Sequence, residues 1–161
     1  MEASTLYPDL YIDYLAHFHG TRDYFECHEV LEEHWKNVDP KNRNSVWVFL
    51  IQLAVCMYHY RRGNRKGAEI LINRCLKRYP TISESLEEIG LEKREVLLLV
   101  QEVRTRLINQ QPYKSTILPI CDNILLDDVR QKCKKWGVTY GKPSNLLDHY
   151  LINKHSLRNR P

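Results

Sequence analysis

Apolar residues recur along most of this chain at spacings of three and four, the signature of amphipathic α-helices. Leu10, Tyr11, Tyr14, Leu15 and Phe18 form the first such stripe. Pro8 suits its first helical position and Gly20 is expected to stop it. A second helix is expected from Asp23 to about Asn37, with a turn at Asp39-Pro40-Lys41-Asn42 leading into a third from about Asn44 to Arg62. That third helix is apolar nearly all round from Val46 to Tyr58, with Gln52 and His59 as its polar exceptions. A helix apolar on every side belongs at the centre of a bundle.

Gly63 turns the chain and Asn64 caps a fourth helix, in which Ala68, Leu71, Ile72, Cys75, Leu76 and Tyr79 pack until Pro80 ends it. Thr81-Ile82-Ser83-Glu84 is a capping-box pattern for a short helix closing at Gly90. Glu92 opens a fifth, whose stripe of Val96, Leu97, Leu99, Val100, Val103, Leu107 and Ile108 is expected to lie against the third and fourth, up to Pro112. Residues 113–121 are β-branched and proline-bearing, so an extended run across the bundle is expected. Asp122 or Asn123 then caps a helix ending at Gly137, Ser144 caps a last one through about Lys154, and residues 156–161 look frayed. The pattern describes an all-α fold: a compact bundle of about five helices in residues 1–112, with a C-terminal helical extension, 113–161, packed upon it.

Composition narrows the class. With 161 residues, 43% hydrophobic and 27% charged, this is ordinary globular usage for one domain. The first residues carry neither a basic start nor an apolar stretch, so no secretion signal is read. The longest apolar run is too short to span a bilayer, and a soluble protein with no membrane partner is expected. Cys27, Cys56, Cys75, Cys121 and Cys133 are odd in number and scattered, which fits free thiols in a reducing cytoplasm better than disulfides or a zinc site. The net charge of +4 hides a split, with residues 1–60 acidic on balance and residues 61–161 basic. Such a split fits self-association as a homo-oligomer or a small anionic ligand for the second half, a solvated surface being the more common explanation.

The chemistry concentrates in Asp23-Tyr24-Phe25-Glu26-Cys27-His28-Glu29-Val30-Leu31-Glu32-Glu33-His34-Trp35-Lys36. At about 100° per residue, His28 and Glu32 project into the middle of an apolar face with Tyr24, Phe25, Leu31 and Trp35. Glu26, Glu29 and Glu33 project to the opposite side, and Asp23 can cap the helix with Glu26 three residues on. A His and a Glu on a buried face must satisfy one another or find partners. They form either a structural pair or a pocket in which Glu32 orients His28 for proton transfer, ligand binding or a shared metal. Antiparallel packing about residue 40 would set His28 opposite Gln52, with His59 roughly 10 Å further along the axis. That register argues against one metal held by both histidines and for a polar seam of Glu32, His28, Gln52 and His59.

Arg61-Arg62-Gly63-Asn64-Arg65-Lys66 places four cations beside a helix N-terminus, where a phosphate or carboxylate could sit; solvated arginines are the plainer reading. No Walker spacing, dinucleotide fingerprint or glycine-flanked nucleophile appears, so no cofactor is implied. His28-Glu29-Val30-Leu31-Glu32 differs from the zincin H-E-x-x-H in its last residue, and no metal site follows from it.

Tyr24-Phe25-Glu26-x-His28-Glu29-x-Leu31-Glu32-x-x-Trp35, then Ile51-Gln52-Leu53-Ala54, His59, Gly63-Asn64 and Gly67-Ala68, together resemble the bacterial, archaeal and plastid family of the domain of unknown function 309. The resemblance covers roughly residues 10 to 110 and implies a compact all-helical domain, with no established activity to carry over. Cys27 stands where such proteins usually have Ala, and Phe49 where many have Gly, so Phe49 could fill space otherwise left for a ligand. Three functions follow. The first is a binding or interaction protein whose seam is mainly structural. The second is an acid–base or metal site of His28 and Glu32, with Gln52 and His59 positioning a ligand and Glu29 pointing away. The third is anion or RNA recognition by Arg61, Arg62, Arg65 and Lys66, although no known nucleic-acid reading module is present.

Overall fold

A computed structural model describes residues 6–155. They build an all-α fold in which every α-helix after the first begins where a side chain satisfies a free amide. α1 (Asp9–Ala16) continues directly into a π-helical turn, His17–Thr21. α2 (Tyr24–Val38) is capped by Asp23, which accepts from the Glu26 amide at 3.0 Å. α3 (Val46–Arg61) is capped by Ser45, and α4 (Arg65–Glu88) by Asn64. Glu92 caps α5 (Lys93–Ile108), Asp122 caps α6 (Asn123–Lys135), and Asp148 caps the one-turn α7 (His149–Ile152).

α3 is the central element, as its nearly all-round apolar surface requires. Phe49, Leu50, Leu53, Ala54, Cys56 and Met57 are fully buried, with α2 on one side and α4 on the other. α1 packs on α2 and α6, and α5 packs on α4. Leu118, Leu125, Val129 and Cys133 belong to the same core, so residues beyond 112 share the hydrophobic interior of the bundle. Residues 113–119 run without helix, and the chain then pairs with the α4–α5 link. Leu91 and Ile120 form an antiparallel bridge, flanked by Glu92 N–H to Pro119 O and Cys121 N–H to Gly90 O, both 2.9 Å. Among the described residues no helix is long and apolar enough to cross a membrane. All five cysteines are free thiols, four of them buried.

Three boundaries differ from the sequence expectation, each for a physical reason. Pro80 does not end α4, which runs on to Glu88. A proline forfeits one backbone hydrogen bond, but Ile82 and Leu86 beyond it are buried in the core, and that burial carries the helix through. Gly20 does not stop α1 but sits inside the π turn, a rare geometry often found where a helix is bent around a neighbour. The last helix starts at His149 instead of just after Ser144, because residues 142–148 are held in turns by Ser115, Arg61 and Asn145. The expectation of a frayed end falls on residues outside those described.

Gly20 is fixed by contact. A Cβ there would lie 2.8 Å from Cys133 Sγ and 2.9 Å from Val138 Cγ2, closer than packed atoms tolerate. Gly20→Ala should therefore cost about 2 kcal/mol by forcing α6 and its following turn away from α1. Thermal melting of the variant checks this, and an unchanged melting temperature would mean that the junction yields freely.

Candidate functional site

The face of α2 that enters the core carries Tyr24, Cys27, Leu31 and His34, all buried. It is rotated from the face expected, because Cys27 and His34 turn inward and Trp35 is only half-buried. His28 and Glu32 therefore lie at the rim of the helix, with side chains 31% and 36% exposed, instead of in the middle of a buried seam. His28 Nε2 is 3.1 Å from Glu32 Oε2, and its Nδ1 is 3.5 Å from Glu29 Oε1, so the imidazole stands between two carboxylates. Lys36 Nζ binds the other Glu32 oxygen at 3.1 Å. Partial burial pushes the Glu32 carboxyl up, yet the Lys36 hydrogen bond and the adjacent His28 outweigh it and hold Glu32 below its ordinary range.

The His28 ring lines a cleft of about 290 Å³ between α2, α3 and the C-terminal segment. Tyr24, Phe25, Val55 and Tyr58 supply apolar and aromatic wall, and His59, Arg62 and His155 supply the polar groups. Sequence reasoning separated His28 from His59 by register. The structure brings them to one cleft, because both side chains leave their helices toward the same rim. The tautomer of His59 follows from its neighbour. Asn64 Oδ1 is committed to the Gly67 amide at 3.0 Å, so its Nδ2 donates to His59 Nδ1 at 3.2 Å. The His59 proton then sits on Nε2. Burial, with Arg62 and His155 adding to it, lowers the His59 pKa, so at neutral pH the ring is an uncharged N–H donor.

The C-terminal segment is tied over this cleft at several points. Lys154 Nζ lies 2.7 Å from Asp23 Oδ2 and 3.5 Å from Glu26 Oε2. The His155 amide donates to the Tyr58 hydroxyl at 3.0 Å, and its ring sits 5.7 Å from that of Phe25.

The other sequence candidates fall elsewhere. Gln52 turns toward α4 and accepts from Arg78 Nη1 at 2.9 Å, so it takes no part in this cleft. Glu29 is exposed on the far side of His28. Arg65 and Lys66 are exposed at the start of α4, and Arg62 lies with its guanidinium carbon 5.6 Å from the Tyr58 ring centre. Arg61 is not a solvated cation of the basic turn. It is buried, donating to Arg22 O at 2.6 Å, Ser144 Oγ at 3.1 Å and Leu151 O at 3.3 Å, above the Tyr24 ring.

Two buried polar residues escaped sequence reasoning. Arg22 is 2% exposed in a left-handed conformation, φ 58°, and donates to Phe18 O, Thr116 O and Lys142 O. His19 is fully buried, with Nδ1 donating to Leu15 O and Nε2 accepting from the Leu118 amide at 2.9 Å. No periodicity signals either one, since their partners are carbonyls and amides up to 120 positions away in the chain. Among the described residues no group of three His, Cys, Asp or Glu side chains is gathered closely enough to hold a metal ion.

Comparison with known proteins adds context. A family model described as domain of unknown function (DUF309) matches residues 11–71. The matched span contains His28, Glu32, His59 and Arg62 and stops before the segment that carries His155. The chain is 46% identical over 155 residues to the uncharacterized protein YpuF of Bacillus subtilis (strain 168), covering 96% of this chain and 89% of that protein. No solved structure matches.

Proposed function

The chain belongs to the DUF309 family, and we propose that the cleft between α2, α3 and the C-terminal segment binds a small organic anion with an apolar body. One observation carries this reading: three imidazoles and a guanidinium line a single aromatic-walled cleft in which no lining residue is acidic. Its volume, at the lower end of ligand-binding clefts at about 300 Å³, suits a compact molecule. Phe25, Val55 and Tyr58 take the apolar body, Arg62 supplies the charge, and the His59 Nε2–H donates to an anionic oxygen. Glu29 and Glu32 act on this site only through His28.

That contact supports a second reading within the same site. His28, oriented by Glu32 at 3.1 Å, is placed to exchange a proton with a bound ligand, which would make the protein an enzyme of acid–base type.

The anion site, on which the second reading also depends, is tested by NMR titration with benzoate, monitoring the imidazole resonances. Saturable shifts of His28 and His59, with the buried His19 unmoved, are the expected result. Because His28 is a third exposed and its ion pairs are at the surface, His28→Ala should change stability by less than about 1 kcal/mol while weakening benzoate binding. Absence of any saturable imidazole shift with benzoate or acetate would refute the anion site.

A further inference from the structure

A second cleft, of about 540 Å³, lies further toward the N-terminal end of α3, where that helix and the residues before it meet the middle of α4. It is lined by Asn44, Gln52, Arg74, Lys77, Arg78 and Thr81. We propose that this cleft is a binding site for the phosphate group of a small, highly polar phosphorylated ligand.

The argument begins with Arg78. Its Nε donates to Arg43 O at 3.0 Å and its Nη1 to Gln52 Oε1 at 2.9 Å. Two of its three nitrogens are thus held by the protein, which fixes the guanidinium plane before any ligand arrives and reduces the ordering cost of binding. Gln52 accepts through its oxygen, so its amide nitrogen remains a donor. This gives a role to the residue that sequence reasoning singled out and the first cleft left aside. Arg74 and Lys77 stand one turn back and one residue back on α4, and Asn44 and Thr81 add neutral donors.

The electrostatic arrangement is one-sided. No lining residue is acidic, and none of the ion pairs among the described residues involves Arg74, Lys77 or Arg78. Three cations lining one cleft without a carboxylate repel one another, and a multivalent anion relieves that repulsion. A planar guanidinium flanked by a second guanidinium and an ammonium matches a phosphate better than a single carboxylate. The lining also sets the rest of the ligand. It contains no aromatic or aliphatic side chain, so a nucleobase finds nothing on which to stack, which disfavours single-stranded nucleic acid. A sugar phosphate or oligophosphate, hydrogen-bonded throughout, fits the donors.

The test uses the full-length ¹⁵N-labelled protein titrated with pyrophosphate at constant ionic strength, which separates a site from general screening. Saturable amide shifts confined to residues 44–52 and 74–81 are expected. Arg78→Gln should raise the apparent Kd about tenfold, the scale of one charge-assisted contact. Since Arg78 also braces Arg43, the exposed double variant Arg74→Gln with Lys77→Gln provides a second reading free of structural damage. It should weaken binding to a similar degree with the melting temperature unchanged. Pyrophosphate shifts that persist equally in both variants, or that spread over all exposed cations, would overturn the site. So would binding of a short single-stranded RNA at these residues with no response to pyrophosphate. Benzoate reports on His28 and His59 and pyrophosphate on residues 44–52 and 74–81, so the two sites stand or fall separately.

Discussion

Replacing Arg61 with Ala lowers stability by about 3 kcal/mol and releases the C-terminal segment from the bundle. The side chain is 8% exposed and makes charge-assisted hydrogen bonds to Arg22 O, Ser144 Oγ and Leu151 O. Each such bond is worth about 1.5 to 3 kcal/mol, and although Arg22 O and Ser144 Oγ keep other partners, the buried space that the guanidinium filled is left empty. The guanidinium carbon also lies 4.5 Å from the Tyr24 ring centre and 6.0 Å from that of Tyr113, so packing and cation–π attraction are lost together. Tyr113 belongs to a hydroxyl chain with Tyr24, at 2.6 Å, and Ser144, at 2.9 Å, which loses its cover in the variant. Urea unfolding measures the loss, and hydrogen exchange at amides 141–153 shows where it falls. Arg61→Lys should rescue little, since an ammonium cannot stack on Tyr24 and reach three separated acceptors. A loss below 1 kcal/mol with exchange unchanged would mean that the segment is held by its other contacts.

Mild acid should weaken the fold through His19. Burial, the dominant cause, together with the neighbouring Arg22 charge, lowers its pKa from 6.5 to about 3, against the opposing pull of its bond to Leu15 O. The geometry also leaves no room for a second ring proton: Nε2 already accepts from the Leu118 amide, so that proton would face an N–H. Between these two pH values the unfolded chain binds a proton that the folded chain refuses. The contribution is therefore complete above pH 6.5 and is lost as pH falls toward 3, at about 1.4 kcal/mol per pH unit. Burial shifts His17, His34 and His59 in the same direction and adds to the slope. Urea midpoints at pH 7.5, 6 and 5 test this. His19→Gln should be less stable at pH 7.5 but show a shallower slope, and an equal slope would assign the acid response to other groups.

The sequence was most legible where chemistry is local. α3 follows from an apolar surface on all sides, and Asp23, Asn64 and Glu92 cap the helices that their positions announce. Pro80 misled because its cost is local while the burial of Ile82 and Leu86 that offsets it is tertiary. The face of α2 was misjudged for a related reason. Cys27 and His34 look neutral in a helical projection, yet their burial sets the rotation that carries His28 and Glu32 to the rim. Arg61 read as one cation of four because nothing beside it in the chain discloses that its acceptors are Arg22, Ser144 and Leu151. The cleft itself was half visible: His28 and His59 could be named, whereas His155 joins them only through the return of the C-terminal segment.

That return has a consequence for synthesis. The pairings α1 with α2, α2 with α3, α3 with α4 and α4 with α5 all join neighbours in the chain, so the bundle can assemble in order while translation proceeds. Gly141 N–H to His19 O, Arg22 to Lys142 O and Lys154 to Asp23 instead join the early part of the chain to residues made much later, up to 131 positions on. A nascent chain can thus bury most of its core before Lys154 and His155 emerge from the ribosome, yet its first cleft lacks a wall until they do. A product truncated before residue 142 would keep the pairings of α1 to α5 but lack the part of the cleft that His155 lines.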